Sequence, residues 1–248
     1  MKHFLLAWRF LTILPLGRDD GKATAGDMVS STYFYPPVGA LLGLILAGTF
    51  ALTNSLLPAF SAAALTVTVW AAWTAGMHLD GLMDTFDGLG VRGNLPRRLA
   101  VMRDSNVGAF GVLAAVLLLL LKTAALVDLA LYPLVLPAIL LAPVAGRAAM
   151  VALMATGRYA RTGEGLGKHL VEGTGSRQLM VGMLFSLLLA VLVLDAGTVF
   201  ILLAVQVALF MLLRNFFRRG FGGLTGDLLG AACELHELVW LSTALFMA

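Results

Sequence analysis

Long apolar runs separated by short polar segments make up most of the chain. A helix needs about 20 apolar residues to cross the hydrocarbon core of a membrane. The run at 179–213 is too long for one helix, and Asp195-Ala196-Gly197 divides it into two spans. The pattern therefore predicts seven transmembrane helices. They lie at about 35–57, 59–78, 109–131, 133–156, twice within 179–213, and 224–246.

Two further helices are predicted outside the membrane core. The apolar segment 4–16 is interrupted by Arg9, which favours a helix lying in the interface with Trp8 and Phe10 at headgroup level. A short first span is the alternative for this segment. Pro96 fits the first turn of a short cytoplasmic helix between the second and third spans. We expect an all-α, polytopic integral membrane helix bundle, with residues 1–248 forming a single domain.

The composition agrees with a membrane protein. Hydrophobic residues make up 60% of the chain and charged residues only 12%, whereas a soluble domain carries about 25% charged residues. Mean hydropathy is +0.92. The single cysteine, Cys233, excludes an internal disulfide and a cysteine metal site.

The positions of the basic residues predict the orientation in the membrane. Most of the 17 Lys and Arg residues lie before the first span, between spans two and three, around the loop between spans four and five, or between spans six and seven. Lys122 lies inside the third span and Arg147 inside the fourth, and the remaining turns contain no Lys or Arg. The positive-inside rule then places the N-terminus and every polar loop in the cytoplasm.

Three carboxylates follow the second apolar run within eight residues, as Asp80, Asp84 and Asp87. At about 100° per residue, a helix places all three on one stripe. Like charges on one stripe repel each other, and a cation would relieve that repulsion. An all-oxygen cluster suits Mg²⁺, which also accepts substrate phosphates as ligands. A solvated helix end with chance acids is the alternative.

Four arginines follow the acidic stretch, and arginine binds phosphate in a bidentate manner. Arg103 and Asp104 stand beside Ser105 and Gly108 at the start of the third span and have the character of site residues. The other three serve equally well as phosphate ligands or as anchors that touch lipid phosphate. They are Arg92, Arg97 and Arg98.

Arg147 lies inside the fourth apolar segment, where a charge is expensive and normally faces the bundle interior or a wet cavity. We favour a functional role for it over a structural ion pair. The segment 157–168 then combines four glycines and two arginines with Lys168, which suits a phosphate-binding loop. Positive, glycine-rich loops are also common on cytoplasmic faces, so this signal is weak alone.

The last cluster lies on the seventh span. Gly223, Asp227, Gly230, Glu234 and Glu237 share a helical stripe about 80° wide. Carboxylates deep in a span are expensive unless they are paired, protonated or hydrated. Glycines at fourfold spacing also form a helix-packing pattern, but that pattern does not explain the acids.

Together these features indicate a cytoplasm-facing membrane enzyme that transfers a phosphate-linked group with the help of a metal and arginines. One rival is a lipid synthase of the CDP-alcohol phosphotransferase class, whose pattern fails here at Met83 and Asp84. The other is a cation or proton transporter using Asp227, Glu234 and Glu237. A transporter would predict paired repeats and a site near the membrane midplane, and the sequence has no obvious repeat.

The sequence resembles one family closely, the adenosylcobinamide-GDP ribazoletransferases, also called cobalamin-5′-phosphate synthases. The matching motifs follow in order along nearly the whole chain. Asn106 departs from the pattern, which has a more basic residue there. The motifs are Phe10-Leu11-Thr12 with Leu14-Pro15, Pro37 with Gly39, His78-Leu79-Asp80-Gly81-Leu82, Asp84-Thr85, Asp87-Gly88, Met102-Arg103-Asp104-Ser105 with Gly108, Arg158-Tyr159-Ala160-Arg161, Gly165-Leu166-Gly167, Gly222-Gly223, Thr225-Gly226-Asp227, Leu229-Gly230-Ala231, and Glu234 with Glu237.

The resemblance implies a reaction. A ribose hydroxyl of α-ribazole, or of its 5′-phosphate, attacks the cobinamide-linked phosphate of adenosylcobinamide-GDP, and GMP leaves. The product is adenosylcobalamin or its 5′-phosphate. Mg²⁺ is the implied metal and the bacterial inner membrane the implied location. We expect contact with membrane lipid and no nucleic-acid partner, and a homo-oligomer is left open.

The resemblance also suggests roles for the residues already singled out. Asp80, Asp84 and Asp87 would be catalytic and bind the metal, with Asp104 or Asp227 completing the site. Asp87 is the first choice for the group that accepts the hydroxyl proton. The expected substrate-binding residues are Arg103, Arg147, Arg158, Arg161, Gly223, Thr225, Glu234 and Glu237.

Overall fold

In a computed structural model, the protein is described over residues 1–14, 16, 23–104, 106–163 and 165–248. Two residues of the sequence motifs, Pro15 and Ser105, lie outside these ranges. Within them the only β-type pairing is a bridge between Tyr159 and Leu224. The helices are α1 Lys2–Leu11, α2 Ala25–Ser31, α3 Tyr35–Leu56, α4 Ala59–Trp73, α5 Met77–Gly90, α6 Leu95–Val101, α7 Ala109–Leu129, α8 Val135–Thr156, α9 Leu166–Gly173, α10 Ser176–Val193, α11 Ala196–Phe221 and α12 Gly226–Met247.

Six helical segments among the described residues are long and apolar enough to cross a membrane, and a bent pair of helices brings the number to seven. The predicted polytopic helix bundle is therefore confirmed, and the protein is a multi-pass membrane protein. Helices α2 and α9 are additions that the apolar pattern did not predict. The spanning segments are α2 with α3, α7, α8, α10, α11 and α12, plus the pair α4 and α5.

The predicted second span, 59–78, is wrong over its last five residues. Helix α4 ends at Trp73, and α5 begins at Met77 after a bend of 89°. The cause lies in the backbone, because Ala75 and Gly76 have φ angles of 51° and 65° in the left-handed region. The acidic stretch therefore runs across the bundle instead of continuing the span.

Helix α8 is the central helix of the bundle, and 83% of an 18-residue apolar stretch within it is buried by the rest of the protein. Helices α3 and α12 pack along it. A side chain at Gly43 would lie 2.0 Å from the Leu140 carbonyl oxygen, and one at Gly39 would lie 2.6 Å from that of Pro143. Glycine at these two positions lets the backbones of α3 and α8 touch, as is common between membrane helices.

The N-terminal helix packs on the protein more closely than an interfacial helix requires. Trp8 is 4% exposed and meets Trp73 edge to face, with 6.3 Å between ring centroids. The ring of Trp8 therefore packs against the end of α4, and its position at headgroup level stays a prediction. Phe10 is half-buried and stacks on Tyr35. Helix α1 thus closes one side of the space beneath α5.

Candidate active site

Helices α5 and α12 cross at two glycines. A side chain at Gly81 would lie 2.8 Å from the carbonyl oxygen of Asp227, and one at Gly230 would lie 3.2 Å from the Cα of His78. Each glycine therefore permits backbone contact that a larger residue would block. The crossing carries Asp80 and Asp84 of α5 to the start of α12, where Asp227 stands. The sequence predicted these acids separately, and the structure brings them together.

Two loops with glycine and arginine residues are joined by backbone hydrogen bonds. Leu224 N–H donates to the Arg158 carbonyl at 2.8 Å, and Ala160 N–H donates to the Leu224 carbonyl at 2.9 Å. A side chain at Gly223 would lie 2.4 Å from the Arg158 carbonyl oxygen. The pairing ties the segment after α8 to the segment before α12 and thereby fixes the position of Arg161.

Arg161 is the cation of the site. Its Nη2 donates to Asp227 Oδ2 at 2.8 Å and to the Met102 carbonyl at 3.4 Å. Thr225 caps α12, because its Oγ1 accepts from Leu228 N–H at 3.2 Å and donates to Asp227 Oδ2 at 3.3 Å. The Nε of Arg161 is buried and has no hydrogen-bond partner. The guanidinium therefore retains a donor for a further acceptor.

Asp87 holds the start of α7. Its two carboxylate oxygens accept from Gly108 N–H at 2.7 Å and from Gly111 N–H at 2.8 Å. A carboxylate at a helix N-terminus is favoured by the free amides and the helix dipole. Side chains at Gly108 or Gly111 would lie 2.3 Å and 2.5 Å from the Asp87 carboxylate. Asp87 thus has a structural task that its place on the acidic stripe did not reveal.

The remaining carboxylates are crowded. The 89° bend carries α5 out of the line of α4 and toward the start of α12. Asp84 is half-buried and lies within electrostatic range of Asp227, Asp80 and Asp87, with Arg161 as the opposing charge. Four acids against one arginine leave a local excess of negative charge.

A cavity of about 210 Å³ opens beside these carboxylates. Asp80 and Asp227 line it, and the rest of the lining is largely apolar. Helices α1, α3, α8 and α9 supply that apolar wall. Its side chains include Phe10, Tyr35, Met150, Met154, Leu166 and Leu170.

The carboxylates fit Mg²⁺ in part. Over the described ranges, no three His, Cys, Asp or Glu side chains already form a metal cage. Mg²⁺ rarely needs one, because it usually takes one or two carboxylates and completes its shell with water and substrate phosphate. Oxygen ligands are available from Asp80, Asp84 and Asp227, where negative charge is in excess. These carboxylates are therefore suitable ligands for Mg²⁺.

Three predicted site residues lie apart from this cluster. Arg103 and Asp104 are exposed after α6, and Asp104 Oδ1 accepts from the backbone and side-chain nitrogens of Asn106 at 3.0 Å and 2.7 Å. These hydrogen bonds lower the pKa of Asp104. Arg158 donates to the Gly222 carbonyl at 3.0 Å and lines a different pocket with Arg214 and Arg218.

The deep acids of α12 form a buried ion cluster. Lys122 Nζ donates to Glu234 and to Glu237, both at 2.6 Å, and Arg147 donates to Glu237. Arg147 and Glu237 are fully buried, and Lys122 Nζ also lies 4.2 Å from the Trp70 ring centroid. These contacts favour the structural ion pair that the sequence left as the alternative for Arg147. Sequence reasoning gave Lys122 no role, although a lone charge in an apolar span was the available signal.

His78 joins this buried cluster through its ring, and the residue also lines the cavity beside Asp80 and Asp227. Its Nδ1 lies 3.3 Å from Arg147 Nη2, and the residue is 2% exposed. Its position on α5, opposite the acidic stripe, turns it toward α8. The helix therefore separates a charged, half-exposed face from a buried one.

Comparison with known proteins gives one consistent result. The family model described as cobalamin-5-phosphate synthase matches residues 3–245. A protein of Acetivibrio thermocellus named adenosylcobinamide-GDP ribazoletransferase is 36% identical, covering 97% of this chain and 96% of its own length. Proteins of the same name from Geotalea daltonii and Pseudomonas syringae pv. syringae are 38% and 39% identical, each over 98% of this chain and over 96% and 98% of their own lengths. No solved structure matches.

Proposed function

Since this chain belongs to the cobalamin-5-phosphate synthase family and is an enzyme, we propose that it joins adenosylcobinamide-GDP to α-ribazole or α-ribazole 5′-phosphate. A ribose hydroxyl of the acceptor forms a bond to the cobinamide-linked phosphorus, and the bond from that phosphorus to GMP breaks. The products are adenosylcobalamin, or its 5′-phosphate, and GMP. The hydroxyl proton goes to a carboxylate of the protein or to water.

One observation carries the proposal: the crossing of α5 and α12 gathers Asp80, Asp84 and Asp227 at Arg161, beside a largely apolar cavity. Phosphoryl transfer needs charge stabilisation and positioning more than covalent help from the protein. Mg²⁺ bound by these carboxylates and by substrate phosphate would supply positive charge to the leaving group and to the attacked phosphate. Arg161, with its unpartnered Nε, is placed to bind a phosphate oxygen.

The cavity suits the acceptor. Its apolar lining, with Met150, Met154 and Leu170, matches an apolar heterocyclic base, and Asp80 and Asp227 line the same cavity. A hydroxyl on the attached sugar would then lie near Asp80. Asp80 is exposed, whereas both oxygens of Asp87 already accept backbone N–H groups. We therefore prefer Asp80 to Asp87 as the proton acceptor.

We place the protein in the bacterial inner membrane with its N-terminus and active site in the cytoplasm. The support is the distribution of basic residues, which favours the side that carries α5, α6, α9 and the end of α11. That side also supplies nucleotides and Mg²⁺. A transporter receives no support, because the deep acids Glu234 and Glu237 are neutralised by Lys122 and Arg147.

The proposal is tested by GMP release from purified protein. We expect GMP from adenosylcobinamide-GDP only when both an acceptor and Mg²⁺ are present, in amounts equal to the cobalamin product. Supplying α-ribazole and its 5′-phosphate separately identifies the acceptor. Chelation of Mg²⁺ with the acceptor present tests the metal. GMP release without an acceptor would indicate hydrolysis, and no release under any of these conditions would reject the proposal.

A further inference from the structure

An apolar groove and a basic pocket meet at Thr156, the last residue of α8. The groove has a volume of about 300 Å³ and lies between α8, α10 and α11. The basic pocket, of about 500 Å³, lies just beyond it at the ends of α8 and α11. Thr156 lines both, so the two form one continuous surface, the α8–α11 groove.

The apolar part is open toward lipid and has a floor of small side chains. Helix α10 packs on α8 and α3, and α11 packs on α12, which leaves a channel between α10 and α11. Met183, Leu187, Val207 and Met211 line its walls and are exposed. The floor belongs to α8 and consists of Ala145, Ala148, Ala149 and Ala152.

The basic part carries three arginines and, among its described lining residues, no carboxylate. Arg214 donates to the Thr156 carbonyl at 3.3 Å, and Arg158 donates to the Gly222 carbonyl at 3.0 Å. Arg218 donates to Asn215 Oδ1 at 3.4 Å. Each guanidinium has five N–H donors, so donors remain for an anion. All three side chains are exposed, and no described acid neutralises them there.

The dimensions match one lipid leaflet. Leu203, Val207 and Met211 share the groove face of α11 with Arg214 and Arg218 one and two turns further on. Leu203 to Arg214 is 11 residues, about 16 Å at 1.5 Å per residue. Half of a hydrocarbon core of about 30 Å is about 15 Å. An acyl chain that begins at the arginines therefore ends near Leu203.

We propose that the α8–α11 groove binds an anionic phospholipid of the cytoplasmic leaflet. One acyl chain lies on the alanine floor, and the headgroup phosphate contacts Arg158, Arg214 and Arg218. Charge selects the occupant, because unneutralised basic pockets between membrane helices on the cytoplasmic side attract anionic lipids. Arg158 then binds the lipid headgroup, whereas the sequence analysis expected it to bind the substrate.

The test uses native mass spectrometry of the purified full-length protein in a neutral detergent, titrated with phosphatidylglycerol or phosphatidylcholine. We expect one phosphatidylglycerol per chain, bound more tightly than phosphatidylcholine. The Arg214→Gln/Arg218→Gln double variant should bind it about thirtyfold more weakly, because a surface arginine contributes about fivefold. Ala152→Phe, which fills the floor, should weaken binding of both lipids. The matched control is Arg177→Gln/Arg219→Gln, which removes two exposed arginines that do not line the groove.

Four outcomes would overturn the proposal. Equal binding of the two lipids would deny the role of charge. Equal loss in both double variants would show a non-specific attraction to surface charge. Displacement of the bound lipid by GMP or by inorganic phosphate at millimolar concentration would make the arginines a site for soluble phosphate compounds. A dimer that Ala152→Phe abolishes would assign the groove to a second copy of the chain.

Discussion

The two charged clusters of this protein lie on the same helix and differ in balance. At the start of α12, Asp227 stands with Asp80 and Asp84 and has one arginine partner, Arg161. About 10–15 Å further along α12, Glu234 and Glu237 meet two cations, Lys122 and Arg147. The first cluster is half-exposed and negative, whereas the second is buried and neutral.

This difference in charge balance distinguishes a candidate functional cluster from a structural one, in a chain that has few charged residues. A buried charge must be paired, so the deep cluster is complete and leaves nothing for a ligand. The cluster at the membrane edge keeps like charges together without pairing them, which destabilises the fold slightly and favours a cation. Unbalanced charge beside a cavity is thus the better indicator of the active site.

The deep cluster offers the largest effect on stability. Glu237→Gln leaves Arg147 and Lys122 with one carboxylate between them, and breaking a buried pair costs about 3–5 kcal/mol. This loss of stability is measured as the difference in unfolding free energy between the variant and the wild type in detergent. GMP release per mole of folded protein should stay near that of the wild type. Asp128→Asn, an exposed acid at the far end of α7, is the control. Stable protein without activity would move Glu237 into the substrate site.

Arg161 offers a test from the other cluster. Arg161→Gln removes the cation that contacts Asp227, and a hydrogen bond to a charged group contributes about 1.5–3 kcal/mol. We expect kcat/KM for adenosylcobinamide-GDP to fall by about 10–100-fold. Arg161→Lys should restore part of it, and Arg177→Gln should have no effect. A loss of stability with unchanged kinetics would make Arg161 a structural partner only.

The structural role of Asp87 is tested at the glycines whose N–H groups donate to its carboxylate. Gly111→Ala places a methyl group only 2.5 Å from Asp87 Oδ2, which is closer than van der Waals contact allows. The variant should therefore lose about 1–3 kcal/mol of unfolding free energy. Gly48→Ala on α3 is the matched control, since nothing lies within 4 Å of its added carbon. There alanine should stabilise the helix by up to about 1 kcal/mol. If both variants changed the unfolding free energy by the same amount in the same direction, the structural role of Asp87 at the start of α7 would be contradicted.

Sidedness is tested with variants that should hardly change stability. In a Cys233→Ser background, cysteine is placed at the exposed positions Asn106 or Gly197. An impermeant thiol reagent added to intact cells should label position 197 and spare position 106 if the aspartate site faces the cytoplasm, as we propose. Labelling of position 106 alone would invert the protein and remove its access to Mg²⁺ and nucleotides.

Much of this architecture follows from the sequence because apolar length and helical period are local signals. They predict α3, α7, α8 and α12 and the shared face of Asp80, Asp84 and Asp87. The bend at Ala75 is not predictable in that way, since a left-handed alanine depends on its tertiary surroundings. Hydrogen bonds from α7 to Asp87 and from Lys122 to Glu234 join residues 21 and 112 positions apart. No periodicity within one helix encodes such pairs.

The most direct test is GMP release by Asp84→Asn as a function of Mg²⁺ concentration, beside Asp128→Asn. Asn keeps the shape of the side chain and removes one negative ligand. We expect turnover at limiting Mg²⁺ to fall by about 10²–10³-fold, as when other transition-state electrostatics are removed. The Mg²⁺ concentration for half-maximal activity should rise, while the metal-free variant remains as stable as the wild type. Near-wild-type turnover by Asp84→Asn, with the same Mg²⁺ dependence, would contradict the assignment of the active site.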